Sequence, residues 1–125
     1  MQELGTDNVT FEEGDALARR GDPPADVVIA ADVLEHFRDL GPIVAAVHRW
    51  LRPGGILLTS LPTENLWYRL LRLIFRVTKP VDHYHTAAQV EDQLRRDGFV
   101  PRARLYHPLG VNLFALFSIA AWRRE

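Results

Sequence analysis

The chain has 125 residues, 47% of them hydrophobic and 25% charged, with a formal net charge of -1, the balance of one globular domain rather than a disordered or fibrous segment. Acids and bases are interspersed and nearly cancel, so the counterion release that drives nucleic-acid binding has no source in the chain as a whole, and no nucleic-acid partner is expected. The absence of cysteine excludes disulfides and thiolate metal sites.

The N-terminus, "MQELGTDNVTFEEGD", is acidic and polar, without the basic start and apolar core of a secretory signal. No apolar run reaches the roughly 18 residues that would span a bilayer. With the missing cysteines, this predicts a cytoplasmic protein. Val9 to Glu13 alternates β-branched and aromatic residues with polar ones up to Gly14 and predicts a short strand; the turn-rich "RRGDPPAD" separates it from the next element. Asp26 to Ala31, "DVVIAA", is a continuous apolar run, which predicts a strand buried on both faces, as in a parallel sheet. From Gly41, the positions Ile43, Val44, Val47, Trp50 and Leu51 fall at helical spacing, with Pro42 at the start and Pro53-Gly54-Gly55 as the stop. "GILLTSL" then predicts a second buried strand ending at Pro62, and strand, helix, strand implies a right-handed parallel crossover. "ENLWYRLLRLIFRVTKP" predicts a helix ended by Pro80, and "TAAQVEDQLRRDGF" another, with Thr86 as N-cap and Gly98 as its C-terminal signal. "VPRARLYH" and "ALFSIAAW" predict two final strands joined antiparallel across "PLGVN".

In order and spacing, "NVTFEEGDAL", "ADVVIAADVLEHF", "VHRWLRPGGILLTSLP" and "DHYHTAAQVEDQLRRDGF", with the terminal strand pair, resemble the C-terminal two-thirds of a class I S-adenosylmethionine-dependent methyltransferase of the small-molecule branch. The resemblance implies an α/β, Rossmann-like methyltransferase fold, partial, with a mostly parallel sheet and an antiparallel C-terminal strand pair. It also exposes a departure. The family's first strand ends in a glycine-rich loop against the cofactor, and an acid after its second strand binds the ribose. None of this chain's glycines makes a G-x-G loop behind a strand. Residues 1–125 therefore read as a partial methyltransferase domain lacking the N-terminal glycine-rich strand-loop-helix unit, and family sheet order puts the absent strands between this chain's first strand and its second.

The resemblance assigns Asp15 to the adenine amino group, the Ala16 amide to a ring nitrogen, Leu17 beside them, and Ala31 and Asp32 to the cofactor at the strand end, with S-adenosylmethionine as the cofactor. Without it, Asp15 reads as an ordinary turn acid after Gly14. In "DVLEH", His36 is the residue to remove a proton from the methyl acceptor, because an imidazole's unperturbed pKa lies near neutrality. The competing reading has Asp32 capping a short helical turn, with Glu35 and His36 facing solvent. A third places a metal among Asp32, Glu35, His36 and His83 or His85 of "DHYH"; Asp32 is one methylene shorter than the acid that metal-binding relatives carry, and no metal is expected.

Arg69, Arg72 and Arg76 lie on one stripe of a helix whose remaining surface is apolar. It reads as a core helix with its arginines outward, as a lid over a lipid-like or aromatic acceptor contacted by Trp67 and Tyr68, or as an interfacial helix in peripheral contact with anionic lipid. Two functions remain open on these residues. One is methyl transfer from S-adenosylmethionine to a small acceptor. The other is a truncated, non-catalytic methyltransferase-like domain serving as a binding or assembly module, including as a homo-oligomer.

Overall fold

The computed structural model describes residues 8–63, 66–76, 84–108 and 115–125. They form β1 (Ala25–Ala31), α1 (Leu40–Trp50), β2 (Leu51–Pro62), α2 (Leu66–Phe75), α3 (Ala87–Arg96), β3 (Phe99–His107) and β4 (Phe117–Arg124), with short 3-10 turns at Ala16–Ala18 and Leu34–His36. One mixed sheet has the order β1-β2-β4-β3, with β1 and β2 parallel and the other two pairings antiparallel. The expected parallel pair is in register from Val27 opposite Ile56 to Ala31 opposite Ser60, and the final two strands lie on the far side of β2.

Helix α1 is the crossover. Asp39 caps it by accepting from the Gly41 amide at 3.0 Å, and Leu40, Ile43, Val44 and Val47 form the one-sided stripe that a 3.6-residue period requires. That stripe covers the sheet face on which Leu57, Thr59, Leu61, Ala120 and Trp122 lie, and Val90, Leu94 and Phe99 complete the core. Trp122 is fully buried, and its indole Nε1 donates to Thr59 Oγ1 at 3.1 Å, so the polar tip that a tryptophan brings into a core has its partner. Helix α3 begins with a reciprocal capping box between Thr86 and Gln89 and is followed by Gly98 at φ +86°, the left-handed position that favours glycine.

Three expectations are corrected. Pro53-Gly54-Gly55 does not separate helix from strand; β2 starts at Leu51, directly after Trp50. The three residues lie in a bulge, since β1 advances from Ala25 to Val27 while β2 advances from Leu51 to Ile56. Val9 to Glu13 is not a strand. A strand needs a ladder partner, and this segment is exposed, Phe11 by 91%, and tied through Glu12 to Arg19; it is the residues after it that meet the end of α1, where Trp50 Nε1 donates to the Arg19 carbonyl at 3.0 Å and Gly21 sits at φ +70° with no room for a Cβ beside Trp50. Finally, β1 is not buried on both faces. Val28 and Ala30 face the core, whereas Val27 and Ile29 lie on a sheet face that continues through Leu58 and Ile119 to Leu105 and leaves Ile29 71% exposed. The apolar run is there; among the described residues, no helix covers its second side. Helix α2 ends at Phe75, and the rest of its expected course to Pro80, like "PLGVN" after Pro108, lies outside the described residues.

His48 on α1 faces the α3–β3 junction, with its ring edge-on to Phe99 at 5.6 Å and Nε2 near Gly98. Burial, and secondarily the Arg124 guanidinium, hold its pKa below the usual 6.5, while Asp97 opposes them. The folded state thus binds the His48 proton less readily than the unfolded chain. This contribution to stability is complete above the unfolded pKa and falls as pH drops through it toward the lower folded value. The melting temperature is expected to fall between about pH 7.5 and pH 5.5 more steeply than in His48→Gln; parallel profiles for the two proteins would remove His48 as the cause.

Candidate functional site

The carboxyl ends of β1 and β2 are fastened at Asp32. Its amide donates to the Ser60 carbonyl at 2.9 Å, and Ser60 Oγ donates to Asp32 Oδ1 at 3.2 Å. Asp32 adopts φ +50°, a left-handed conformation that aspartate tolerates better than most residues, and the chain turns there off the sheet. Asp32 is therefore not the cap of the Leu34–His36 turn. That position is Val33, with no side-chain bond, and the turn is fixed by burying Leu34 in the core.

Glu35 is buried as well, only 1% exposed, which overturns the reading of Glu35 as a solvent-facing acid. Its Oε1 lies 3.9 Å from His36 Nε2, within ion-pair reach of a protonated imidazole, and the His36 side chain is about one-third exposed. The residues before α3 hold this loop. The Tyr84 amide donates to the Glu35 carbonyl at 2.9 Å, His85 Nε2 donates to the Arg38 carbonyl at 3.0 Å, and Arg38 Nε donates to the Tyr84 hydroxyl at 3.3 Å with its guanidinium 5.4 Å from that ring. The two histidine-bearing motifs, far apart in sequence, thus meet in one place. Nothing in the sequence points to Arg38 and Tyr84 as members of the site. A contact between loops 46 positions apart leaves no periodic signal in either.

The adenine-side residues are elsewhere. Asp15 caps the Ala16–Ala18 turn by accepting from the Leu17 amide at 2.9 Å, and with Ala16, Glu12, Arg19 and Trp50 it lines an open cleft of about 430 Å³. Trp50 closes α1 where Ala25 and Leu51 pair, at the amino ends of the two parallel strands, whereas Asp32 and His36 come after their carboxyl ends. The length of β1, roughly 20 Å, separates those two ends. As arranged, Asp15, Ala16 and Leu17 do not form one cradle with Ala31 and Asp32, and the described residues do not enclose a whole adenosyl cofactor. Asp32, Glu35 and His36 do not share one helical face either, since the turn is three residues long and Asp32 precedes it. Among the described residues, no three His, Asp or Glu side chains are grouped closely enough to hold a metal ion; His83 lies outside them.

Parallel strands joined by a helical crossover, with a polar cluster at their carboxyl ends, are the geometry in which open α/β sheets place ligands. A family model described as a methyltransferase domain matches residues 2–57. Among solved structures, the chain is similar to the PH0226 protein from Pyrococcus horikoshii OT3, with TM-score 0.70, 20% identity, and coverage of 94% of this chain and 60% of that one. It is also similar to magnesium protoporphyrin IX methyltransferase from Synechocystis PCC 6803 with bound SAH, with TM-score 0.67, 21% identity, and coverage of 93% and 51%. The chain has a class I methyltransferase-like fold. The N-methyltransferase NodS from Bradyrhizobium japonicum WM9 shares that fold at TM-score 0.63 and 18% identity, over 89% of this chain and 57% of its own. Comparison with curated proteins gives no match. The methyltransferase-like chain thus spans between 51% and 60% of the length of these three relatives.

Proposed function

We propose that the protein serves methyl transfer to a small-molecule acceptor held at the carboxyl ends of β1 and β2, with S-adenosylmethionine as donor, no metal, and a cytoplasmic setting suited to a chain without cysteine. The observation that carries this reading is His36, partly exposed at a strand end beside buried Glu35, on a loop held by Tyr84 and His85, in a methyltransferase-like fold. The donor, when bound, supplies a methyl group on a positively charged sulfur. The chain's residues provide the other requirements. Small, exposed Ala31 leaves room over the strand end, the Asp32–Ser60 fastening fixes its edge, and His36 takes the proton of a hydroxyl or ammonium acceptor. Proton removal is assigned to His36 and not to metal-bound water because Asp32 precedes the turn that carries Glu35 and His36, and the described acids and histidines are not grouped as a ligand set.

A second reading, a non-catalytic binding or assembly module, is favoured by the separation of Asp15 from Asp32 and by the uncovered sheet face around Ile29. The test is label transfer from S-adenosylmethionine at about millimolar concentration, near the affinity that an incomplete site would give, to a panel of small hydroxyl and amine compounds. Labelled product is expected, unaffected by a chelator and reduced about 100-fold or more in His36→Gln, the scale of a lost general base. No transfer at any donor concentration would leave only the module reading, and a chelator-sensitive reaction would return Asp32, Glu35 and His36 to consideration as ligands.

A further inference from the structure

Helix α2 is a surface helix with its apolar side outward. Leu73, Ile74 and Phe75 are 76%, 62% and 70% exposed, Leu70 is exposed beside them, and α2 makes little contact with the other elements of the described chain. On a helical projection, Leu73, Leu70, Ile74, Trp67 and Phe75 fall on one side, while Arg72, Arg76 and Arg69 cluster on the other. The charge is as one-sided as the hydrophobicity. From Asn65 to Val81 the sequence carries Arg69, Arg72, Arg76 and Lys79 and no acid, whereas the whole chain has a net charge of -1. A helix about 15 Å long cannot cross a bilayer, and no helix among the described residues is long and apolar enough to do so.

We propose that α2 is a membrane-surface anchor that lies in the headgroup region of an anionic bilayer, with Leu70, Leu73, Ile74 and Phe75 against the acyl chains and Arg69 and Arg76 among lipid phosphates. A second protein could cover the apolar side, but a segment with four cationic side chains and no acid, on a chain whose remaining residues are net acidic, concentrates positive charge at this helix and specifies an extended anionic surface. High amphipathicity, modest overall hydrophobicity and arginine on the polar side together distinguish an interfacial helix from a core helix. The proposal is independent of the methyl-transfer reading, and its test needs no donor.

The test is flotation of the 125-residue protein with vesicles of phosphatidylcholine alone and of phosphatidylcholine with about 30% phosphatidylglycerol. Expected are flotation with the anionic vesicles, release at about 0.5 M salt, and little binding to the neutral ones. Arg69→Glu with Arg76→Glu should weaken partitioning at least 20-fold, taking roughly fivefold for each positive charge lost. Leu73→Asp with Phe75→Asp should abolish it while leaving the melting temperature of the exposed-site variant unchanged. Equal binding to both vesicle types, or no flotation with either, would overturn the proposal. So would a dimer in sedimentation that dissociates in Leu73→Asp with Phe75→Asp, which would identify the face as an interface between copies.

Discussion

Trp122→Ala is expected to destabilise the fold by about 3–5 kcal/mol, the cost of truncating a fully buried tryptophan. The indole fills the middle of the core from the centre of the sheet, opposite Leu57, and is the donor for the Thr59 hydroxyl, which retains only a 3.5 Å bond to the Ala120 carbonyl. Arg95 also stacks over that ring at 5.4 Å. Domains of this size hold roughly 5–15 kcal/mol in all, and a sheet whose second face carries no helix among the described residues belongs toward the lower end of that range. Urea denaturation monitored by circular dichroism measures the effect. A loss below about 1.5 kcal/mol would mean that Trp122 is not at the centre of the core.

Titration of S-adenosylmethionine into the purified 125-residue chain is expected to show no micromolar binding. Asp15 with its neighbouring amides and Asp32 with Ala31 lie at opposite ends of the β1–α1–β2 unit, and the chain offers no G-x-G loop through which backbone could approach the cofactor. Losing two or three charge-assisted hydrogen bonds at roughly 1.5–3 kcal/mol each lowers affinity by several orders of magnitude. Calorimetry decides it. Micromolar binding by a monomer would show that the segment before β1 leaves Trp50 and that Asp15, Ala31 and Asp32 come together; Asp15→Ala should then abolish the signal.

The parts of the fold legible in the sequence are those in which local pattern and tertiary role agree. The α1 stripe, the Thr86 cap and the Gly98 stop are each written within one or two turns of chain. "DVVIAA" and "GILLTSL" carry their strand identity and parallel pairing in their composition and separation. The segment Val9 to Glu13 shows the limit: its alternation is strand-like, but a strand is a relation between two segments, and among the described residues no strand lies beside this one. In the site, His36 can be singled out by its chemistry. The burial of Glu35 and the hold of Tyr84 on its carbonyl cannot, because loop-to-loop contacts obey no period. Asp32 looks like a helix cap in the sequence because its real partner, Ser60, is reached through strand pairing rather than along the chain.

The sheet order also sets a sequence of events in time. Val27 meets Ile56 within the contiguous β1–α1–β2 unit, whereas Thr59 meets Trp122 across 63 positions. Closing the longer loop costs only about 0.7 kcal/mol more in chain entropy, but it must wait until the C-terminus exists. During synthesis the β1–α1–β2 unit is complete while the β4-facing edge of β2 remains unpaired. A stop codon within Phe117–Arg124 would therefore remove a central strand and not a tail, leaving β3 without the neighbour that ties it to the sheet.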